Sequence, residues 1–330
     1  MLSNILSTAL LLSSASASCL HGTSLQPRRL AKRAGQVEVS SFGYSGMTGP
    51  LNWHNLAAAN TMCNTGTNQS PINIDDSIPL ATEAPVIDFP NVEAAEFENL
   101  GSTLEAIVNG TTTVGGVDFS LAQFHLHTPS EHRINDEYFP LEMHMVHESA
   151  EGGFVVLGLL FQLTEDGSTT DLLTATTSHL SEVATPGTVT ETAALDFAPL
   201  VKHLTTTPLL NYTGSLTTPP CSEGINFLIS QEPLPINVAT FNSIKSVMKF
   251  NSRFSQNSLG EPNLLDSAAI NALATGATSK SAVNTTAEAV NTTTGSESSP
   301  ADKHAINAEQ LHVLSNILQS VDSAIHEIIG

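Results

Sequence analysis

Three histidines are spaced so that their imidazoles could meet. His125 and His127 are two residues apart in an apolar stretch, so a β-strand would turn both toward one face. His144 lies in a second strand-like stretch, and pairing of the two strands would add a third imidazole. Three protein nitrogens with a fourth position left open for water are typical of a catalytic zinc site. The spacing therefore predicts that His125, His127 and His144 bind Zn²⁺.

The alternative is that these histidines are core residues whose N–H groups are satisfied locally. Three histidines at this spacing, next to the polar residues Gln123 and Glu142, fit that alternative poorly. Ligation by cysteine is disfavoured because no cysteine lies near the histidines in the sequence.

The composition from Val37 to Leu265 favours a mainly β (α+β) fold. Short runs of Val, Ile, Phe and Leu alternate with turns rich in Gly, Pro, Asn and Thr, the pattern of short strands. The run 154–161 is continuously apolar and predicts a central strand that is buried on both faces. Further strands are predicted at 104–108 and 225–229, and short helices at 171–180 and 238–249.

The two ends of the chain differ in composition from the middle. Residues 1–18 have an apolar run followed by small residues, as in a secretory signal peptide, and 19–33 form a predicted pro-segment that ends in Lys-Arg. Residues 34–265 form the predicted catalytic domain. Residues 266–302, rich in Ser, Thr and Asn, predict a disordered linker, and 303–330 predict an amphipathic helix. That helix is a possible site of homo-oligomerisation.

The charge is strongly acidic, with a formal net charge of −21. All 32 acidic residues follow residue 33, so a chain that begins at Ala34 keeps 7 of the 11 bases and has a formal net charge of −25. This surface argues against nucleic acid and anionic membranes as partners. The apolar run near the amino terminus is too short for a transmembrane segment, and we expect a secreted, extracellular protein.

Cysteines and sequons fit a secretory route. Cys19 falls at the predicted signal junction, which leaves Cys63 and Cys221 as an even pair in an oxidising compartment. We expect a disulfide, with two buried thiols as the alternative. Asn-X-Ser/Thr sequons make five residues candidates for glycosylation: Asn68, Asn109, Asn211, Asn284 and Asn291.

Several motifs, in order along residues 41–265, resemble the alpha-class carbonic anhydrases. They are Phe42-Gly43-Tyr44, Asn68-Gln69-Ser70-Pro71-Ile72-Asn73-Ile74, Gln123-Phe124-His125-Leu126-His127, Ser130-Glu131-His132, Glu142-Met143-His144 and Gly214-Ser215-Leu216-Thr217-Thr218-Pro219-Pro220-Cys221. The resemblance implies a large, central, mostly antiparallel sheet with short peripheral helices. It also implies the zinc ligands above and a Cys63–Cys221 disulfide like that of secreted members.

The resemblance further implies the reversible hydration of CO₂ to bicarbonate and a proton, by attack of a zinc-held hydroxide. Thr217 would donate a hydrogen bond to Glu131 and orient the nucleophile, and Thr218 would line the bicarbonate side. Gln123 and Glu142 would accept the second N–H of His125 and His144. His132 and Tyr212 match buried positions that connect this network.

An apolar wall for CO₂ is also implied by the resemblance. Its members are Val146, Val156, Leu216, Ile225 and Phe227. Phe227 stands where the family usually has tryptophan, and Phe42 replaces another tryptophan. Both substitutions stay aromatic, so we expect a changed pocket shape and not a loss of function.

One departure from the family affects proton transfer. Fast members carry a histidine just after an Asn-Gly turn, whereas this chain has Thr111 after Asn109-Gly110. Threonine does not titrate near neutrality, so we expect reduced proton shuttling.

Two other functions compete with CO₂ hydration. A zinc-free binding or adhesion module would be expected to have lost a ligand, and the complete histidine set disfavours it. A weak esterase activity would be a side reaction of the same site.

Overall fold

Residues 36–268 are described by the structure, which is a computed structural model. The predictions for segments 1–18, 19–33 and 303–330, for most of 266–302, and for Cys19, Asn284 and Asn291 lie outside these residues.

The described chain is built mainly from short strands. They are β1 Asn73–Ile74, β2 Val86–Asp88, β3 Glu96–Asn99, β4 Leu104–Ile107, β5 Gly110–Val114, β6 Val117–His127, β7 Arg133–Ile134, β8 Glu137–Tyr138, β9 Leu141–Ser149, β10 Phe154–Leu163, β11 Val189–Glu191, β12 Leu209–Ser215, β13 Glu223–Ser230 and β14 Leu234–Ile236. The α-helices are α1 Trp53–Leu56, α2 Met62–Thr65, α3 Asp171–Thr176, α4 Ala198–Thr206 and α5 Val238–Met248. Three 3-10 helices span Gly46–Thr48, Ala58–Thr61 and Leu180–Val183.

Eleven strands form one large sheet, in which β11, β3, β4, β6, β9, β10, β13 and β12 are neighbours in that order. Strand β5 pairs with β6 and β2, and β14 pairs with β10. The strand pairs of this large sheet are antiparallel, except that β10 is parallel to β13 and to β14. A small sheet contains β1, β7 and β8. The predicted mainly β fold with a central, mostly antiparallel sheet and short helices is therefore confirmed.

The predicted elements lie close to the observed ones. The apolar run 154–161 lies in β10 between β9 and β13, and its residues from Val155 to Phe161 are buried. The predicted helix 171–180 is wrong in its length, because α3 ends at Thr176 and a separate 3-10 helix follows. The hydroxyls of Thr176 and Thr177 donate to the carbonyls of Leu172 and Leu173 at 2.8 and 2.9 Å, and such local bonds compete with helix propagation.

Side chains alternate between the two faces of the central strands. On β9 and β10, Met143, Met145 and Leu157 belong to the larger hydrophobic core on one face. Val146 and Val156 belong to a second cluster on the other face. The period of two residues therefore places His125 and His127 of β6 and His144 of β9 on the face opposite the main core.

Cys63 and Cys221 form the predicted disulfide, and their Cα atoms are 5.1 Å apart. The bridge packs in a small cluster with Phe42 and Trp53. It joins residues 158 positions apart, and a closed loop of that length stabilises the native state by up to about 5 kcal/mol in the chain-entropy account.

We therefore expect the double variant Cys63→Ala/Cys221→Ala to unfold at lower urea concentration than the parent. The lost stability should approach about 5 kcal/mol, because the unfolded chain regains the freedom that the crosslink removes. Urea titrations followed by tryptophan fluorescence measure the change. The parent titrated with reductant is the matched control, and equal midpoints for oxidised parent and variant would contradict the expectation.

Candidate active site

Neighbouring central strands bring the three histidines together. His125 and His127 lie on one face of β6, and His144 lies on β9 directly opposite His125 in the antiparallel register. Each is buried, and their candidate ligand atoms lie within 4.8 Å of one another. The structure therefore places the predicted ligand residues as one cluster.

Each of the three imidazoles uses one ring nitrogen to hydrogen-bond an oxygen that can only accept. The bonds join His125 Nδ1 to Gln123 Oε1 at 2.9 Å, His127 Nδ1 to the Asn251 carbonyl at 2.9 Å, and His144 Nε2 to Glu142 Oε1 at 2.7 Å. An oxygen acceptor requires the proton on that nitrogen, so the other nitrogen carries a lone pair. This is the tautomer arrangement that metal-binding histidines usually have.

The electrostatics of the cluster fit a cation. Burial lowers the pKa of His125 well below its ordinary value and that of His127 to about 4, so these imidazoles are neutral and able to ligate. Nε2 of His127 is buried and has no hydrogen-bond partner among the described residues. A buried imidazole nitrogen with a free lone pair is one that a metal ion would satisfy, so the donor set fits Zn²⁺.

Glu142 holds the cluster through four accepted hydrogen bonds. Its Oε1 accepts from the rings of His132 and His144, each at 2.7 Å. Its Oε2 accepts the backbone N–H groups of Glu131 at 2.8 Å and His132 at 2.9 Å. Burial alone would raise the pKa of Glu142, but the adjacent His132 and His144 outweigh it and hold that pKa well below its usual range.

The network continues away from the histidine cluster. Nε2 of His132 lies 2.6 Å from the Tyr212 hydroxyl, which lies 2.8 Å from Oγ of Ser70. Ser70 Oγ accepts the backbone N–H of Ser215 at 3.0 Å. Burial raises the pKa of Tyr212 well above its ordinary value, so this phenol stays protonated and can donate.

Glu131 lies beside the cluster. Its Oε1 accepts the backbone N–H of Arg253 at 2.9 Å, and its Oε2 lies 3.5 Å from His127 Nε2. Burial raises the pKa of Glu131 to about 7, while His144, Arg253 and the Thr217 side chain act to lower it. Although Thr217 is close enough to affect this pKa, Oε2 accepts no hydrogen bond of regular geometry from a described residue. The Thr217–Glu131 hydrogen bond therefore stays a prediction.

The predicted apolar wall forms one buried cluster. It contains Val146, Val156, Leu216, Ile225 and Phe227. In the register, Val156 lies opposite both Val146 and Phe227. The Phe227 ring stacks on Tyr212 with a centroid distance of 5.1 Å and approaches His144 edge-on at 5.9 Å. An aromatic side chain at 227 thus contacts both the wall and His144, one of the predicted ligands.

The remaining predicted positions differ in exposure. Thr217 and Thr218 are buried in the loop after β12. Thr111 is half-buried on β5. Among the described sequons, Asn109 is exposed, whereas Asn68 and Asn211 are half-buried.

Two site residues were not predicted from the sequence, Asn251 and Arg253. The Asn251 carbonyl accepts from His127, while its side chain donates to the Leu126 carbonyl at 2.8 Å and accepts the Thr128 N–H at 2.7 Å. The buried Arg253 guanidinium donates to the Ser70 carbonyl at 2.6 Å. Both lie after α5 and more than a hundred residues from β6, so no local pattern marked them.

Within residues 36–268, no helix combines the length and apolarity that crossing a bilayer requires.

The site is a buried set of three histidines on the central strands of a large, mostly antiparallel sheet. Similar proteins identify the class of enzyme to which it belongs. The sequence profile of the eukaryotic-type carbonic anhydrases matches residues 48–263. The solved structure of a fungal alpha carbonic anhydrase from Aspergillus oryzae has 42% identity and a TM-score of 0.68, and the match covers 69% of this chain and 98% of that one.

Two bacterial relatives agree. A carbonic anhydrase of Pectobacterium atrosepticum is 34% identical over 211 residues, which are 63% of this chain and 83% of the relative. The alpha carbonic anhydrase of Thermovibrio ammonificans, solved with the inhibitor sulfanilamide, is 33% identical with a TM-score of 0.58, and the match covers 67% of this chain and 97% of that one. This chain belongs to the alpha carbonic anhydrase family, enzymes that interconvert CO₂ and bicarbonate.

Proposed function

We propose that this chain is a secreted zinc carbonic anhydrase with reduced intramolecular proton shuttling. The observation that carries the proposal is the tautomer pattern of the three buried histidines. Each donates one N–H to an oxygen and keeps one lone pair. His125, His127 and His144 would hold Zn²⁺, which, as in the carbonic anhydrases themselves, lowers the pKa of bound water to about 7.

The chain's own residues have distinct tasks in the proposed reaction. Glu142, Gln123 and the Asn251 carbonyl fix the orientation and tautomer of the imidazoles. Glu131 would accept a hydrogen bond from the Thr217 hydroxyl, so that the Thr217 oxygen can accept a hydrogen bond from the nucleophile and orient it. Thr218 lines the side of the site where bicarbonate forms.

CO₂ is small and apolar, so an apolar surface beside the histidines suits it. Val146, Val156, Leu216, Ile225 and Phe227 supply that surface. Because these side chains carry no group that can accept a proton, they would bind the substrate without competing for the proton that is released.

Secretion is supported by the Cys63–Cys221 disulfide, since such bonds persist in oxidising compartments. The signal-like residues 1–18 and the acidic charge agree with an extracellular location, and the exposed Asn109 is a candidate for glycosylation.

A zinc-free binding module is disfavoured by the complete ligand set. A weak esterase activity would use the same residues and counts as a side reaction.

The proposal is tested by zinc analysis combined with stopped-flow CO₂ hydration of the purified, secreted protein. We expect about one zinc per chain, hydration far above background, and inhibition by sulfanilamide. The chelated protein, with and without added zinc, is the matched control. A zinc-loaded and folded protein without hydration above background would overturn the enzymatic function and favour the binding module.

Thr111→His should raise the rate of CO₂ hydration in dilute buffer. An imidazole titrates near neutrality and can pass a proton from the site to buffer, whereas a hydroxyl cannot. We expect an increase in kcat of about 10-fold or more, up to the 10²–10⁴ range of general acid–base catalysis. Stopped-flow rates over a series of imidazole concentrations measure it.

Thr113→His is the matched control, because it makes the same change two residues further along β5. We expect its rate to match that of the parent at every buffer concentration. If the parent already shows no dependence on imidazole concentration, proton transfer does not limit its rate and the proposed shuttle defect is wrong.

A further inference from the structure

Among the described sequons, that of Asn109 can carry a glycan without disturbing the fold. Asn109 begins the sequon Asn109-Gly110-Thr111, is exposed, and lies between β4 and β5. The other described acceptors, Asn68 and Asn211, are half-buried. An N-linked glycan is bulky and has to leave the surface freely. The exposed side chain of Asn109 meets that requirement in the folded protein.

The contacts around Asn68 and Asn211 disfavour a glycan at either residue. The N–H of Asn68 donates to Glu223 Oε1 at 2.7 Å, and Ser70, the third residue of the same sequon, is fully buried. Asn211 lies within β12, and its N–H donates to the Pro79 carbonyl at 2.8 Å. A sugar chain on these half-buried side chains would displace packed neighbours.

The side chain of Asn109 lies on the same face of the sheet as the three histidines. On either side of it, Val108 belongs to the main core, and a Cβ added to Gly110 would come within 2.5 Å of Phe89 in that core. Side chains alternate between the two faces of an extended chain. Asn109 and Thr111 therefore point away from the main core, toward the side of the histidines.

Strand β6 connects the histidine site with the surface near Asn109. His125 and Gln123 are buried, whereas Ser120 is exposed and lies directly opposite Thr111 of β5. Residues directly opposite each other share a face of the sheet. The five residues from Ser120 to His125 span about 15 Å of strand. A sugar chain on Asn109, two residues from Thr111 on this face, can extend over that distance.

We propose that Asn109 carries an N-linked glycan that shields the histidine site from large molecules and leaves it open to CO₂ and bicarbonate. The inference rests on the proposed function, because it concerns access to the same site. CO₂ and bicarbonate are small enough to pass a flexible sugar chain. A ligand that is attached to a polymer has to displace the same chain, so the glycan selects by size.

Thr111 connects this glycan with the reduced proton shuttling. A sequon requires Ser or Thr two residues after the asparagine, and position 111 is also where fast family members carry histidine. A sequon at Asn109 and a shuttle histidine at 111 therefore exclude each other, and the loss of the shuttle accompanies the gain of the shield. Thr111→His removes the sequon too, so Asn109→Gln separates loss of the glycan from gain of the imidazole.

Peptide mass analysis of protein secreted from a eukaryotic host tests occupancy, and it needs neither zinc nor catalysis. Enzymatic release of an N-linked glycan converts the modified asparagine to aspartate. We expect this conversion at Asn109 and not at Asn68 or Asn211. Thr111→Ser keeps the sequon and should stay modified, whereas Asn109→Gln should not be modified at this position. An unmodified Asn109 in the secreted parent would overturn the proposal.

Thiol labelling tests the shield independently of zinc. In a Cys19→Ser background, Ser120→Cys supplies an exposed thiol on the histidine face. We expect Asn109→Gln to raise its reaction rate with a polymer-linked maleimide at least about tenfold, the lower end of the range over which association rates vary among variants of one interface. The rate with N-ethylmaleimide should not change. Equal effects on both reagents, or no effect, would overturn the shield.

Ser243→Cys is the matched control for thiol labelling, because it places the same new thiol at an exposed position of α5. The neighbouring Ile244 packs into the main core, so α5 lies on the face opposite the histidines. We expect Asn109→Gln to leave both labelling rates of this variant unchanged. A faster reaction of the polymer-linked maleimide here as well would assign the effect to the whole surface and overturn a local shield.

Inhibition of CO₂ hydration relates the shield to the active site. Sulfanilamide, free or attached to a polymer, is compared on the parent and on Asn109→Gln. We expect equal hydration rates, equal inhibition by free sulfanilamide, and inhibition by the polymer-bound form that is at least about tenfold stronger for Asn109→Gln. Equal inhibition by the polymer-bound form would overturn shielding of the site. If both proteins lack hydration, the proposed function fails, while occupancy and thiol labelling still decide whether the glycan and its shield exist.

Discussion

His127→Ala should abolish zinc binding and reduce CO₂ hydration to the uncatalysed background. His127 is fully buried, its Nδ1 is held by the Asn251 carbonyl, and its Nε2 has no partner among the described residues. Two imidazoles alone do not form the three-nitrogen set that a catalytic zinc site requires. Loss of several kcal/mol of transition-state stabilisation corresponds to a fall in kcat/KM of at least about 10³-fold.

Zinc content, stopped-flow hydration and far-UV circular dichroism should be measured on the same preparation. His179→Ala is the matched control, because His179 is exposed and lies outside the cluster; it should keep parental zinc content and rate. A folded His127→Ala protein that retains zinc and a rate within about tenfold of the parent would contradict the assignment of His127 as a ligand, since tenfold corresponds to only about 1.4 kcal/mol.

The site could be predicted from sequence wherever its chemistry repeats along a strand. His125 and His127, with Gln123 before them, share a face because side chains alternate with a period of two residues. The sequence also predicted that the strand of His144 pairs with the strand of His125 and His127. In the structure, the register between β6 and β9 places His144 opposite His125. The apolar run 154–161 predicted β10 for a different reason, because a strand buried on both faces is continuously hydrophobic.

The rest of the site depends on contacts that no local pattern encodes. Asn251 acts through a backbone carbonyl, which every residue possesses, so its residue type alone predicts nothing about His127. Arg253 is a buried cation whose pKa burial lowers to about 10, and its partners Ser70 and Gln69 lie on a distant loop. Such groups are recognised only after folding has determined which polar atoms need a partner.

The end of α3 illustrates a different limit. A short helix is predicted over 171–180, but two consecutive threonines offer the backbone carbonyls of the preceding turn an alternative hydrogen bond. Periodicity reports which face a helix would bury, and it is insensitive to this local competition. Helix boundaries in a segment rich in threonine are therefore harder to predict than the identity of the element.

Glu142→Gln should destabilise the fold and weaken zinc binding although it preserves the shape of the side chain. Both oxygens of Glu142 serve only as acceptors: Oε1 faces the rings of His132 and His144, and Oε2 faces the N–H groups of Glu131 and His132. An amide has one oxygen and one NH₂ group, so either orientation turns a donor toward two donors. Unsatisfied buried groups and loss of the charge should lower the free energy of unfolding by about 3–5 kcal/mol.

The effect on zinc follows from the same hydrogen bonds. In one orientation of the amide, His144 loses the acceptor that fixes its Nε2 proton, and in the other it keeps only a neutral oxygen in place of a carboxylate. Loss of such an outer partner typically weakens metal affinity 10- to 100-fold. Competition with a chelator measures the affinity, and urea titration of the apo protein measures the stability separately. Glu148→Gln is the matched control, because it makes the same chemical change on the same strand at a half-buried position that takes no part in the site.

Comparison of Glu142→Gln with Gln123→Ala distinguishes a role in orienting the histidines from a general loss of stability. Gln123→Ala removes one neutral acceptor, the partner of His125, so it should cost only about 1 kcal/mol of folding free energy while still weakening zinc binding within the same 10- to 100-fold range. If Glu142 acted only through stability, its zinc affinity would recover under conditions where the variant is fully folded. A chelator titration of folded Glu142→Gln that matches the parent would therefore refute its role in orienting His144.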